Sequence, residues 1–247
     1  MSIRAILTAS VIFLGIATVP ALPQDTDEPA AASDVWEISR GGLLYDKWWE
    51  VILADEPKDT HPAYPADGKQ EGAATWRCKE CHGWDYRGAA GAYAKGSHYT
   101  GIKGIGGMAG APIERIVEVI RNDVHGITPE LLSDSAVQKL AAFVSLGQVD
   151  MDLYIDRETK RARGDPVTGA RYFQTICAVC HGYDGKAINF RDESKPEFIG
   201  TVASENPWET LHKVRFGQPG VGMVALTALD LQTLIDIVAY AQTLPAE

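Results

Sequence analysis

Cysteine is scarce in this chain of 247 residues, which contains only four. All four lie in two short motifs, so none remains for a separate disulfide framework. Basic residues are also few: 23 Lys and Arg against 33 Asp and Glu give a net charge of −10 and no basic footprint for nucleic acid. With 45% hydrophobic and 23% charged residues, the composition is that of a globular protein rather than a disordered one.

Long apolar runs are missing as well, except at the N-terminus. There Arg4 precedes an apolar run over residues 5–19, which ends before the small residue Ala21. This pattern predicts a secretory signal peptide over residues 1–21. The alternative is an uncleaved anchor, but the run falls short of the ~20 residues that span a bilayer. We therefore expect an exported protein, most simply a bacterial periplasmic one, with no transmembrane span in the mature chain.

The two cysteine motifs repeat the same chemistry 99 residues apart. Both have the form C-x-x-C-H: Cys78, Cys81 and His82, then Cys177, Cys180 and His181. A C-x-x-C-H run attaches a c-type haem, because two thiols about one helical turn apart can add to the two vinyl groups of one porphyrin. The histidine that follows then binds the iron from the same side. The sequence thus predicts two covalently attached haem c groups, haem 1 at the first motif and haem 2 at the second.

Other uses of paired cysteines fit less well. A structural zinc site needs a second Cys or His pair, and each motif's nearest such partner is about a hundred residues away. A thioredoxin-like redox pair expects a βαβ setting, whereas the surrounding pattern is helical and rich in loops. A chance C-x-x-C beside an unrelated histidine would not explain two full copies.

Composition changes along the chain suggest its organisation. The predicted parts are a signal peptide (1–21), a flexible leader (22–34), a first domain with an N-terminal extension (35–150), a connector (151–164) and a second domain (165–247). Leu132–Val144 matches Leu226–Val238 at a shift of 94, and Pro112 matches Pro207 at a shift of 95. This internal repeat covers both motifs and the helices that follow them.

The second half resembles a class I c-type cytochrome domain. Gly169 and Phe173, eight and four residues before Cys177, match the glycine and the aromatic residue of the family's N-terminal helix, and Tyr240 matches the aromatic residue of its C-terminal helix. The resemblance implies an all-α fold with two class I cytochrome c-like helical domains in tandem, loop-rich, each wrapped around one covalent haem.

The first half departs from this pattern. Gln70 and Ala74 occupy the positions eight and four before Cys78. The aromatic segment Trp36–Ile52 is therefore the candidate to pack where the family has its N-terminal helix.

The sequence indicates the sixth iron ligand more clearly at haem 2 than at haem 1. Met223 lies 42 residues after His181 in a loop bounded by glycine and proline, where the family carries its methionine ligand. At haem 1 the repeat places Pro129, which cannot bind iron, in the position of Met223. Two candidates remain for haem 1, with His98 or an open site as further alternatives: His125, 43 residues after His82, and Met108, 26 residues after it.

The remaining histidines and methionines have no predicted chemistry. We expect His61 and His212 to face solvent, and Met151 to pack in the connector. In the family, the second ring nitrogen of the motif histidine donates to a main-chain carbonyl. Residues 95–102 are the expected source for His82, and Pro196 is the expected source for His181.

The leading functional hypothesis is a periplasmic dihaem cytochrome c that carries electrons between redox partner proteins, with no catalytic residue of its own. Its acidity favours partners with a basic docking patch. The alternative is a dihaem oxidoreductase or its cytochrome subunit, such as a thiosulfate-oxidising or peroxide-reducing enzyme, with an open or displaceable site on haem 1. A scaffold subunit docking through the tryptophan-rich extension is a third class. The oligomeric state is not marked in the sequence.

Overall fold

Helices build the fold of residues 34–246, the part of the chain that the computed structural model describes. The α-helices are α1 (Asp34–Ile52), α2 (Cys78–His82), α3 (Ile113–Ile120), α4 (Asp134–Ala142), α5 (Pro166–Tyr172), α6 (Ala178–His181), α7 (Ile199–Glu205), α8 (Pro207–Phe216) and α9 (Leu231–Ala241). Short 3₁₀ and π-helical turns extend several of them, and residues 34–246 contain no β-strand. The all-α prediction is confirmed. The predicted signal peptide and all but the last residue of the predicted leader lie outside the described residues.

Capping residues fix where the main helices begin. The Ser133 side chain accepts from Ala136 N at the start of α4, and that of Asp165 accepts from Val167 N and Thr168 N at the start of α5. The Asp230 side chain does the same for Thr233 N at the start of α9. Such caps satisfy main-chain donors that a helix start leaves unpaired.

In the second half, α5 crosses α9 at a glycine. A Cβ on Gly169 would overlap the carbonyl oxygen of Asp236 and lie 2.9 Å from Ile237 N. Only a residue without a side chain allows the two backbones to approach this closely. Next to the crossing, the Phe173 and Tyr240 rings pack with their centroids 5.3 Å apart.

The first half repeats this crossing with α1 and α4. A Cβ on Gly41 would overlap the carbonyl oxygen of Lys139 and lie 2.6 Å from the Phe143 Cβ. The Tyr45 and Phe143 ring centroids are 5.1 Å apart. Gly41 and Tyr45 therefore have the four-residue spacing of Gly169 and Phe173. The prediction that Trp36–Ile52 packs at this position is confirmed.

The structure corrects the register of the internal repeat. The N-caps Ser133 and Asp230 are 97 positions apart (230 − 133), and the crossing aromatics Phe143 and Tyr240 differ by the same number. The sequence-based shift of 94 for this helix is wrong by three residues, because it matched leucines rather than the capping residues that set the start of each helix. At a shift of 97, the counterpart of Met223 is position 126, the neighbour of His125, and no longer Pro129.

The two halves share one core, and the described residues form one compact unit. Helix α8 of the second half packs on α1 of the first. A Cβ on Gly42 would overlap the Phe216 ring, and Lys213 forms an ion pair with the buried Asp46. The predicted connector also contributes, because Met151 and Ile155 are each 1% exposed. The packing role expected for Met151 is confirmed.

His212 lies at the centre of this contact, and the expectation that it faces solvent is wrong. The side chain is fully buried. Its Nε2–H donates to the Gly42 carbonyl at 3.0 Å, and its Nδ1 accepts from the Tyr86 hydroxyl at 2.9 Å. Burial lowers the pKa of His212 to about 3, although the charge of Asp46 opposes the shift. The ring is therefore neutral in the folded protein.

This buried histidine predicts a loss of stability in acid. Below pH 6.5 the unfolded chain binds a proton at His212 that the folded protein does not bind, so stability is fully present above that pH and falls as the pH drops toward 3. The whole shift corresponds to roughly 5 kcal/mol. We expect His212→Gln, which keeps a neutral polar side chain, to remove this part of the slope. Urea unfolding of both proteins at pH 7, 6, 5 and 4 measures it; parallel pH profiles would contradict the assignment.

Candidate haem-attachment sites

The first cysteine motif forms the one-turn helix α2. Cys78 and Cys81 are free and partly buried, and burial raises the pKa of Cys78 to about 12 and that of Cys81 to about 11. Both thiols are therefore protonated at neutral pH. The two thiols lie three residues apart, about one helical turn, which matches the requirement for two thioether bonds to a single porphyrin.

The imidazole of His82 is oriented by the main chain that follows the motif. Its Nδ1–H donates to the Lys103 carbonyl at 2.7 Å. The predicted source was residues 95–102, so the acceptor lies one residue beyond the expected segment. A hydrogen bond at Nδ1 leaves Nε2 as the nitrogen available to a metal, and such second contacts fix the orientation of ligating histidines.

His125 is the residue that the structure brings opposite His82. Their ring centroids are 6.2 Å apart, and the ring planes lie within 30° of parallel. With metal–nitrogen bonds of about 2 Å, two imidazoles that bind one metal ion from opposite sides have centroids roughly 6 Å apart. The His125 Nδ1–H donates to Asn122 Oδ1 at 3.2 Å. Burial lowers the pKa of both His82 and His125, which favours the neutral form that binds metals.

The competing candidates for haem 1 have other partners. Met108 ends a 3₁₀ turn and packs, partly buried, against the hydrophobic core. His98 stacks on Tyr93 at 4.9 Å, and its Nδ1 lies 2.6 Å from an oxygen of the buried Glu80. The geometry therefore favours His125 over both as the partner of His82.

Sequence reasoning missed the contacts that His61 makes near the first motif, and the expectation that its side chain faces solvent is wrong. Its ring is partly buried against Trp76, with centroids 4.4 Å apart, and its Nε2 lies 2.9 Å from the carbonyl oxygen of His125. Its position 17 residues before Cys78, in a proline-rich loop, gave no periodic signal that could have placed it beside residue 125.

The second motif lies at the end of the helical segment that begins with α5. A π-helical turn, Phe173–Cys177, leads directly into α6. Burial raises the pKa of Cys177 to about 11. The His181 ring lies between Phe190 at 6.0 Å and Phe173 at 6.5 Å. Its Nδ1 is buried and has no hydrogen-bond partner among the described residues, so the predicted contact with the Pro196 carbonyl is absent there.

Met223 lies in the loop between α8 and α9, as the sequence predicts. The side chain is partly exposed. The loop turns sharply at Gly217, where φ is +90° and a Cβ would lie 2.7 Å from the Met223 carbonyl oxygen. A residue with a side chain would be strained there, so this glycine fixes the path of the chain toward Met223. The role of Met223 as a ligand stays a prediction.

Several buried donors outside the motifs lack an acceptor. Trp49 Nε1, Trp208 Nε1, Arg157 Nη2 and Arg215 Nη1 are buried without a hydrogen-bond partner among the described residues. Unpaired buried donors are rare in folded proteins and indicate a missing partner. All four are N–H groups, so the partner they need is an acceptor such as a carboxylate. A haem propionate is one acceptor of this chemistry. At the first motif, the residues that would suit a haem are the thiols of Cys78 and Cys81 and the neighbouring rings of His82 and His125.

Comparisons with known proteins give no family for this chain. No protein-family model matches it, and no curated protein matches its sequence significantly. Within residues 34–246, no group of three or more His, Cys, Asp and Glu side chains is arranged to hold a metal ion. The helices of the same region include none with the length and apolar composition that a membrane crossing requires.

Proposed function

We propose that this chain is a dihaem c-type cytochrome that transfers electrons between partner proteins. The observation that carries the proposal is the opposed pair His82 and His125, whose second member was selected independently by its spacing in the sequence. His82 belongs to the C-x-x-C-H motif, and its ring centroid lies 6.2 Å from that of His125, so the two imidazoles are close enough that they would bind one iron together.

The duplicated helix crossing supports two class I cytochrome c-like domains. In that family a glycine and an aromatic residue on the N-terminal helix meet the C-terminal helix. Gly41 and Tyr45 on α1, and Gly169 and Phe173 on α5, occupy such positions. We infer domains over 35–150 and 165–247, each built around one haem, with 151–164 between them.

Each set of residues has a distinct task toward its haem. The thiols of Cys78 and Cys81, and those of Cys177 and Cys180, would hold the porphyrins covalently. His82 and His125 would bind one iron, and His181 and Met223 would bind the other. When bound, each haem supplies reversible one-electron transfer between ferrous and ferric iron. Because a thioether favours ferrous iron and a second imidazole favours ferric iron, the chain's ligands set a lower potential at the first site than at the second.

The surroundings of the two motifs favour haem 2 as the one that meets partners. Between the cysteines of the first motif, Lys79 and Glu80 are only 5% and 1% exposed. In the second motif, Ala178, the counterpart of Lys79, is 8% exposed, but Val179, the counterpart of Glu80, is 81% exposed, and nearby Tyr183 is 76% exposed. The attachment edge of the second site is therefore more exposed than that of the first. We propose export to the periplasm and acidic docking to basic partners, an attraction that salt should weaken.

The position of His125 also weighs against the enzyme alternative. Peroxide reduction or thiosulfate oxidation requires an open or easily displaced iron site. His125 stands where it would close the first site, and its Nδ1 is held by Asn122. Electron transfer needs no open position and is therefore the function that the geometry supports best.

The proposal is tested by an intact mass and a redox titration of the mature protein. We expect two haem groups on the polypeptide and two clearly separate potentials, with low-spin ferric spectra for both irons. Changing Cys78 and Cys81 to serine should remove only the lower-potential component, and changing Cys177 and Cys180 should remove only the higher one. A polypeptide without Soret absorbance, or two haems that titrate at a single potential, would contradict the proposal.

A further inference from the structure

The first half contains an insertion that the second half lacks. In the second half, Gly169 at the helix crossing is eight residues before Cys177, and the helix runs directly into the motif. In the first half, Gly41 is 37 residues before Cys78, and an irregular loop over 53–71 separates α1 from the motif. A loop of this length with no helix of its own often has a functional role.

His61, in this insertion, is held in one orientation by several contacts. Its backbone N–H donates to Thr75 Oγ1 at 2.8 Å, and its ring packs on Trp76, two residues before Cys78. Its Nδ1 accepts from Ala63 N at 3.1 Å. An Nδ1 that accepts places the hydrogen on Nε2, and Nε2–H then donates to the carbonyl oxygen of His125 at 2.9 Å.

The loop that carries His125 is braced at its far end by Arg121, whose Nη1–H donates to the Ile127 carbonyl at 3.0 Å, but the residues around His125 itself are exposed. Val124 is 64% exposed, and Gly126, at φ +59°, has no atom within 4 Å of where a Cβ would lie. Asn122 Oδ1 accepts from the N–H groups of Val124 and His125, which shapes the turn but ties it only to itself. The bond from His61 is the contact that joins the His125 backbone to the segment leading into the first motif.

We propose that His61 is a positioning residue that holds His125 opposite His82 at haem 1. The proposal rests on the proposed function, since it assumes that His125 is the sixth ligand. An exposed loop opens readily, and a ligand on such a loop dissociates from iron as often as the loop opens. Fixing its main chain to a segment adjacent to Cys78 keeps both axial ligands on one rigid unit. His61 touches no iron and acts only through His125.

Two substitutions separate the hydrogen bond from the ring packing. His61→Phe keeps an aromatic ring against Trp76 and loses the donor, whereas His61→Gln keeps an N–H donor at a similar reach. In the ferrous full-length protein we expect His61→Phe to increase the rate of carbon monoxide binding at haem 1 about five- to tenfold, the worth of one hydrogen bond. Its haem 1 potential should rise, because ferric iron loses more from a loosened imidazole. His61→Gln should stay within about twofold of the unmodified protein.

Haem 2 in the same molecule serves as the internal control, and its potential should be unchanged in both variants. If His61→Phe does not mature, Thr75→Val, which removes the acceptor of the His61 N–H, should move carbon monoxide binding and potential in the same direction. If His61→Phe carries two haems and keeps its carbon monoxide binding and its potential, the role of His61 alone is overturned. If His61→Phe does not mature, the same result in Thr75→Val overturns that role. A protein with no covalent haem, or one whose haem 1 keeps its spectrum in His125→Ala, would instead overturn the proposed function or its ligand.

Discussion

Replacing His125 with alanine is expected to open the first iron site while leaving the second untouched. The ferric low-spin signal of a two-imidazole site should disappear, and one haem per chain should bind cyanide or carbon monoxide rapidly. The potential of haem 1 should rise, by on the order of 0.1 V, because the stronger donor to ferric iron is lost. The physical reason is geometric, because the ring centroid of His125 lies 6.2 Å from the ring centroid of His82. Optical and magnetic spectra recorded during a redox titration give all three readouts.

Met108→Ala is the matched control for this prediction. Met108 lies in the same half of the chain as His125 and packs, partly buried, against the hydrophobic core. If His125 is the ligand, the alanine variant of Met108 keeps the spectrum and potential of haem 1. If instead Met108→Ala opens the site and His125→Ala does not, the ligand is Met108 and both haems are of the His/Met type. The two potentials would then lie closer together than we propose.

The starts of the helices could be predicted from the sequence because they depend on local signals, whereas the haem chemistry of the motifs stays a prediction. A C-x-x-C-H run specifies its own geometry within one turn. Ser133 and Asp165 announce the first turns of α4 and α5, since a side-chain acceptor directly before an apolar helix face has few other uses. His125 was selected by its distance from His82 in the sequence, and its role as a ligand stays a prediction.

The crossing glycine of the first half was missed because its sequence distance from the motif is unusual. Gln70 and Ala74 occupy the expected positions, while the true pair, Gly41 and Tyr45, lies before the insertion. The spacing of that pair equals the spacing of Gly169 and Phe173, a signal that was present but had no fixed distance from Cys78. Insertions in surface loops cost little free energy, so such distances are poorly constrained.

The burial of His212 and the contacts of His61 could not be predicted from the sequence, for a different reason. His212 is buried because Gly42 and Tyr86, far away in sequence, offer an acceptor and a donor for its ring. His61 is ordered by Thr75 and by the carbonyl of His125. A lone histidine on a polar helix or in a proline-rich loop carries no mark of such partners. Burial of a polar side chain depends on tertiary contacts that pair it.

The two helix crossings provide the largest expected effect on stability. Gly41→Ala and Gly169→Ala each place a methyl group where a carbonyl oxygen of the facing helix already lies. Because the obstacle is main chain rather than a flexible side chain, the helices must move apart. The contacts between Tyr45 and Phe143, or between Phe173 and Tyr240, are then loosened as well. We expect each substitution to lower the free energy of unfolding by about 3 kcal/mol.

Gly107→Ala and Gly222→Ala are the controls that separate this steric effect from a general cost of replacing glycine. Neither position has an atom within 4 Å of its Cβ site, and neither has a positive φ. Both should unfold within about 0.5 kcal/mol of the unmodified protein, as is usual for surface changes. Urea unfolding followed by circular dichroism compares all four variants. A Gly41→Ala protein as stable as Gly107→Ala would mean that α1 and α4 do not cross at this glycine. The first half would then lack the helix pair that positions Cys78 and His82 for a haem.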